Sequence, residues 1–93
     1  METYYDYIEN NPILKKTFEF SLKIIKFYRQ FKSETHEFSL ADQVLRSATS
    51  IGANANESVV SMSQKEFISK MNISLKEAYE TRYWLLLFIN QVI

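Results

Sequence analysis

The run Arg46-Ser47-Ala48-Thr49-Ser50-Ile51-Gly52-Ala53-Asn54-Ala55-Asn56-Glu57 limits what this chain can become more than any other segment. No Pro interrupts it, and nearly all its side chains are small. Its apolar positions belong to a series, Leu40, Val44, Ala48, Ile51, Ala55, Val59 and Met62, stepped by three and four. That step is the period of one face of an α-helix. Small side chains let other helices come close, so the segment reads as the central helix of a bundle. Gly52 in its middle costs about 1 kcal/mol relative to Ala, a loss that a close helix–helix contact offsets.

The flanking segments read as helices too. The whole chain holds one Gly and one Pro, little material for β-turns or flexible linkers. Asn11-Pro12 opens a first helix over about 12–32, because Asn is a good N-cap and Pro at the first helical position forfeits no needed hydrogen bond. Its apolar residues form two adjoining stripes: Leu14, Phe18, Ser21, Ile25 and Tyr28, and Phe20, Ile24, Phe27 and Phe31. Together they cover more of the circumference than a surface helix buries. The helix is either well buried inside one domain or uses one stripe for its own core and one for a neighbouring subunit. The second reading is preferred, because three helices cannot enclose so much apolar surface. Phe20, Ile24, Phe27 and Phe31 are then the expected interface.

Lys32 to Glu37 reads as a polar loop, after which Ser39 caps a second helix over about 39–61, with Asp42 as a weak capping-box partner. A third helix, about 64–91, opens on a full capping box, Ser63-Gln64-Lys65-Glu66, with Met62 and Phe67 placed for a hydrophobic staple. Its predicted seam is Ile68, Met71, Leu75, Ala78, Arg82, Leu85, Ile89 and Val92, interrupted only by Arg82. From Tyr83 to Phe88 the helix is apolar on every side and must be covered by something. Trp84 and Phe88 therefore join the expected interface. The domain organisation is an arm, 1–11, and a helical domain, 12–93.

A chain of 93 residues has a marginal core of its own. Yet 46% of it is hydrophobic and 15% aromatic, which points to a homo-oligomer. The absence of Cys excludes disulfides and thiolate metal sites and fits a cytoplasmic setting. The longest apolar run, Tyr83 to Ile89, is far short of the roughly 20 residues that span a bilayer. The acidic N-terminus, with Glu2, Asp6 and Glu9, does not read as a signal peptide. Net charge is zero, but Lys15, Lys16, Lys23, Lys26, Arg29 and Lys32 face only Glu19 between residues 12 and 32.

Three segments together resemble a bacterial four-helix-bundle family first noticed as products of intervening sequences in 23S rRNA genes. They are Gln43-Val44-Leu45-Arg46-Ser47-Ala48-Thr49-Ser50-Ile51-Gly52-Ala53-Asn54 with Glu57, then Ser63-Gln64-Lys65-Glu66-Phe67-Ile68, then Leu75-Lys76-Glu77-Ala78-Tyr79-Glu80-Thr81-Arg82-Tyr83-Trp84-Leu85. The accessory variability determinant of diversity-generating retroelements is similar. The first helix follows in pattern, notably Phe18-Glu19-Phe20-Ser21-Leu22-Lys23-Ile24-Ile25. The resemblance implies an all-α, antiparallel up-down bundle, often a homopentamer, with no known enzymatic chemistry and no cofactor. Three helices of the four-helix pattern are expected here, the fourth having no counterpart. The retroelement member looks like a basic nucleic-acid scaffold, an inference that the zero net charge of this chain weakens.

The family motifs emphasise Arg46, Asn54, Glu57, Glu77, Glu80 and Arg82. They form either a polar ligand site or a network of hydrogen bonds and ion pairs that sets helix register. The structural role is preferred, with Arg82 on the seam and Glu57 or Glu80 as its partner. Glu77 and Glu80 share a face as metal ligands do, but a helical metal site needs histidines from several helices, and the single His36 lies in the predicted loop. There is no helical Ser–His pair and no Gly-rich phosphate loop. Lys15, Lys16, Lys23, Lys26 and Arg29 on the first helix are the candidate nucleic-acid contacts, with Tyr4, Tyr5 and Tyr7 as stacking surfaces. An ordinary solvated face is the competing reading. The chain is thus expected to be a non-catalytic, homo-oligomeric scaffold or adaptor, alternatively a nucleic-acid-binding accessory protein.

Overall fold

The computed structural model describes residues 4–35 and 38–92, among which only helices and their connections occur. The helices are α1 (Tyr4–Glu9), α2 (Pro12–Thr35), α3 (Phe38–Ser58) and α4 (Gln64–Val92). The fold is an all-α bundle. α3 lies between its two long neighbours. Asp42 meets Tyr28, while Gly52 meets Thr17 and Ser21, so α2 runs antiparallel to α3. Ser47 meets Thr81 and Ile51 meets Ser74, so α4 is antiparallel as well. The small residues of α3 make both approaches possible: Ala41, Ser47, Ala48, Ala55 and Ser58 are all buried.

Local chemistry explains where the helices start. Asn11 Oδ1 accepts the backbone N–H of Ile13 at 3.1 Å and of Leu14 at 3.4 Å, which satisfies two orphan donors ahead of α2. Ser63 Oγ accepts the Glu66 N–H at 3.1 Å to open α4. Glu66 reaches back to the N–H of Met62 at 3.1 Å, one residue before the cap itself. The expected hydrophobic staple does not form, because Met62 is 92% exposed. The tight turn closing α3, Val60 N–H to Glu57 O and Ser61 N–H to Ser58 O, leaves that side chain in solvent.

Element boundaries differ from the sequence reading at three places. Part of the expected arm is the short helix α1, held on the bundle by Ile8, which is buried with Leu14 and Ala55. Tyr7 packs against the same cluster. α2 continues through Thr35, where a loop was expected. α3 starts at Phe38 and closes at Ser58, earlier than 61. His36 and Glu37 lie outside the described residues, as does Ile93.

The core is three clusters strung along α3: Ile8–Leu14–Ala55, Ile24–Val44–Ala48, and Phe31–Ala41–Phe88. At the last, Phe88 of α4 touches Phe31 and lies 5.4 Å, ring centre to ring centre, from Phe27 of α2. This corrects the interface assignment made from sequence. Ile24, Phe31 and Phe88 are buried within the single chain, Phe20 and Trp84 pack partly buried against the middle cluster, and only Phe27 is exposed. The face that α4 turns to α3 overlaps the expected seam, since Met71 and Leu85 pack partly buried on the core, but does not coincide with it. Ser74, Thr81 and Phe88, seven residues apart, are buried, whereas Leu75, Arg82 and Ile89 one position along are exposed. Hydroxyls occupy the seam because they hydrogen-bond across it: Ser74 Oγ donates to Ile51 O at 2.7 Å, and Thr81 Oγ1 to Ser47 Oγ at 2.8 Å. Leu or Ile there would hold the helices further apart.

Candidate functional site

The polar cluster between α3 and α4 is built around Arg46. Its Nε donates to Gln43 Oε1 at 3.1 Å, one terminal nitrogen lies 3.4 Å from Glu77 Oε2, and the other is ion-paired with Glu80. Glu80 also accepts the Trp84 indole N–H at 2.9 Å. The cluster therefore ties the outer edge of α3 to two turns of α4 and fixes the orientation of Trp84. Arg46 is about half exposed, so each ion pair contributes on the order of 0–1 kcal/mol. Every charged member has a partner within the cluster, which leaves no unsatisfied group aimed at a ligand.

The other residues grouped with it from sequence lie elsewhere. Glu57 pairs with Lys70 at 3.6 Å. Asn54 donates to its own helix at Ser50 O, 2.8 Å. Arg82 is exposed and does not sit on the seam, so the guess that it pairs there with Glu57 or Glu80 is corrected: Arg46 holds Glu80, and Thr81 fills the seam. The sequence signal for this was present but weak. Ser47, Thr81 and Ser74 are small hydroxyl residues at helical spacing, which a reading by hydrophobicity passes over.

The outer face of α2 carries the basic stripe. Lys15, Lys16, Lys23, Lys26 and Arg29 are all exposed, with Glu19 among them. Lys15 is neutralised in part by Glu9 of α1 at 3.3 Å. Lys32, further along, sits apart from the stripe: its Nζ donates to Tyr28 Oη at 2.8 Å, and that hydroxyl donates to Asp42 at 2.6 Å. The hydrogen bond from the ammonium to Tyr28 raises the Lys32 pKa above its ordinary value. The same outer face exposes Phe18 and Leu22. Next to Phe18 is a concavity of about 170 Å³ lined by Ile8, Leu14, Thr17, Ser21, Gly52 and Asn56. Sequence reasoning did not anticipate it, although Gly52 was its one visible signal.

α4 leaves a second apolar face uncovered. Ile68, Leu75, Tyr79, Leu86 and Ile89 are exposed at steps of three, four and seven. Among the described residues no group of three potential metal ligands comes together, and no helix is long and apolar enough to cross a membrane.

Comparison with known proteins fits this geometry. No curated protein matches the chain. A solved structure from Bacteroides thetaiotaomicron VPI-5482, described as a protein of unknown function from the S23 ribosomal protein family, is similar at 46% identity and a TM-score of 0.83. The match covers 85% of this chain and 73% of that one. The model of the 23S rRNA-intervening sequence protein family matches residues 9–92, the span that contains the capped α2, the small-residue α3 and the hydroxyl seam of α4. The chain belongs to the 23S rRNA-intervening sequence protein family.

Proposed function

We propose that the protein is a non-catalytic scaffold that works by self-association, with the uncovered face of α4 as its contact surface. The observation that carries this reading is that face itself. Leu75, Tyr79 and Leu86 are each about half exposed or more and lie on one side of the helix. Single exposed apolar side chains are ordinary, but a run at helical spacing, here interrupted by the exposed Arg82, marks an interaction surface. Helix-to-helix contact at spacings of three, four and seven is the geometry that bundle assembly uses. A polar network whose members satisfy one another, rather than an acid–base pair, is consistent with a structural role. The five-subunit ring implied by the family resemblance is the assembly proposed.

Light scattering on a sizing column tests it. A single discrete species of several subunits, five by preference, is the expected result at about 50 μM, and Leu75→Glu with Leu86→Glu should reduce it to the monomer mass while helical circular dichroism persists. A monomer throughout, with the native sequence, refutes the proposal.

A further inference from the structure

The outer face of α2 is not part of the α4 surface, and its chemistry is different. Phe18, Leu22 and Ile25 form a short apolar strip along it, and a shallow surface depression runs over Leu22, Ile25, Lys26, Arg29 and Gln30. Lys26 and Arg29 border the strip, with Lys15 at its start and Lys23 behind. Lys15 is paired with Glu9, so Lys23, Lys26 and Arg29 stand against the carboxylate of Glu19. At the other edge, Phe18 is the shared wall between the strip and the concavity beside Gly52. Gly52, with no side chain, lines the concavity where α3 comes close to α2. A Cβ there would lie 3.4 Å from Ser21 Oγ and Thr17 Cβ, at its floor.

We propose that this face docks an acidic amphipathic helical segment of another protein. One apolar side chain of that segment enters the concavity, others lie on Phe18, Leu22 and Ile25, and its carboxylates meet Lys26 and Arg29. Charge complementarity selects the occupant: an apolar strip bordered by cations leaves a basic partner with repelled charges and favours an acidic one. Shape selects a protein over other polyanions. The volume, about 170 Å³, matches cavities that hold a benzene-sized group, so it suits a Leu or Phe anchor. A bilayer takes in protruding apolar side chains, not a hollow. A nucleic acid would meet the cations through its phosphates and leave the hollow empty, and Phe18 is the one aromatic on the strip for a base to stack on. From Lys15 to Arg29 the face runs about 21 Å at 1.5 Å per residue, the length of a helix of roughly 15 residues. The proposal rests on the scaffold reading only in that surfaces, not chemistry, carry the function, and it assigns the partner's class.

The test is fluorescence anisotropy on the full chain in its native assembly. The probe is a labelled synthetic helix of about 15 residues, with Leu at positions i, i+3 and i+7 and Glu on the flanking positions. Its control carries Lys in place of every Glu. The Glu peptide should bind at least tenfold more tightly than the Lys peptide. Lys26→Glu with Arg29→Glu should weaken it tenfold or more, as should Leu22→Ser. Both alter exposed residues, so folding is kept. Amide shifts in an NMR titration should include Gly52 and Phe18. Equal binding of the two peptides, no binding of the Glu peptide, or indifference to the Lys26 and Arg29 reversals overturns the proposal. So does capture of single-stranded oligonucleotide or phosphatidylglycerol vesicles at this stripe in place of the Glu peptide. Leu75→Glu with Leu86→Glu should change the solution mass and leave peptide affinity intact, so the failure of one proposal is distinguishable from the failure of the other.

Discussion

The hydroxyl pair Ser47–Thr81 offers a test of why α3 and α4 lie where they do. Both residues are buried, Ser47 fully and Thr81 to within 2%. Three contacts share two protons: Ser47 Oγ to Gln43 O at 2.9 Å, Thr81 Oγ1 to Glu77 O at 2.7 Å, and the cross-helix contact of 2.8 Å. One hydroxyl must give its proton across the seam, since two oxygens facing each other without one would repel. Ser47→Ala removes that bond but leaves Thr81 bonded to Glu77 O. The loss of about 1 kcal/mol for a hydrogen bond is offset in part by the better helix propensity of Ala, for a net cost of about 0.5–1 kcal/mol. Thr81→Val is worse. It sets a methyl group where an oxygen had been 2.8 Å from Ser47 Oγ, closer than carbon and oxygen pack. Lost bond and crowding together cost about 2 kcal/mol.

The double variant removes the crowding and the unmatched oxygen at once, so it should cost about 1 kcal/mol, less than Thr81→Val alone. The coupling energy is then about −1.5 to −2 kcal/mol. Urea unfolding of the four proteins at one fixed concentration measures it, with equal m-values confirming that the same transition is compared. Additivity within about 0.3 kcal/mol would refute the argument that the two hydroxyls form one unit holding the helices in register.

Three further outcomes are expected. Phe88→Ala removes the side chain that joins α4 to Phe27 and Phe31 of α2, and should cost about 3–5 kcal/mol by denaturant unfolding. Asn11→Ala leaves the first N–H groups of α2 without their side-chain acceptor, and should cost about 1 kcal/mol, read as a loss of thermal midpoint of several degrees. Tyr28→Phe removes the hydroxyl that raises the Lys32 pKa, so an NMR titration should show that ammonium moving back toward its ordinary value. The sign follows from linkage: a raised lysine pKa supports folding below the unfolded-state value of about 10.4 and loses that support as pH rises through the folded one. The effect of Tyr28→Phe through Lys32 on stability is therefore present in full at neutral pH and disappears in strongly alkaline solution.

Much of the architecture follows from local rules that need no partner. Asn11-Pro12 and Ser63-x-x-Glu66 mark helix starts by satisfying backbone donors within a few residues, and both are where the helices begin. The small residues from Ser47 to Ala55 and the lone Gly52 announce close approach, and α3 is the helix in the middle. Charge along α2 was equally plain, because an exposed lysine needs no tertiary contact to stay exposed.

What only the tertiary structure decided is which face each helix buries. α2 offered two apolar stripes of similar strength. Packing turned Leu14 of one and Ile24 and Phe31 of the other inward, and left Phe18 and Phe27 outside. On α4 the stepping by three and four placed Met71 and Leu85 on the core side but also put Leu75, Arg82 and Ile89 on the seam, one position away from Ser74, Thr81 and Phe88. Hydrophobicity measures the gain from leaving water, but here the distance between helices decides, and small hydroxyls that bond across the seam permit a closer approach than branched aliphatics do. The pairing of Arg46 with Glu77 and Glu80 is of the same kind. The residues could be named from the sequence, and their partners could not, because an ion pair between helices depends on a rotation that only the packed seam sets.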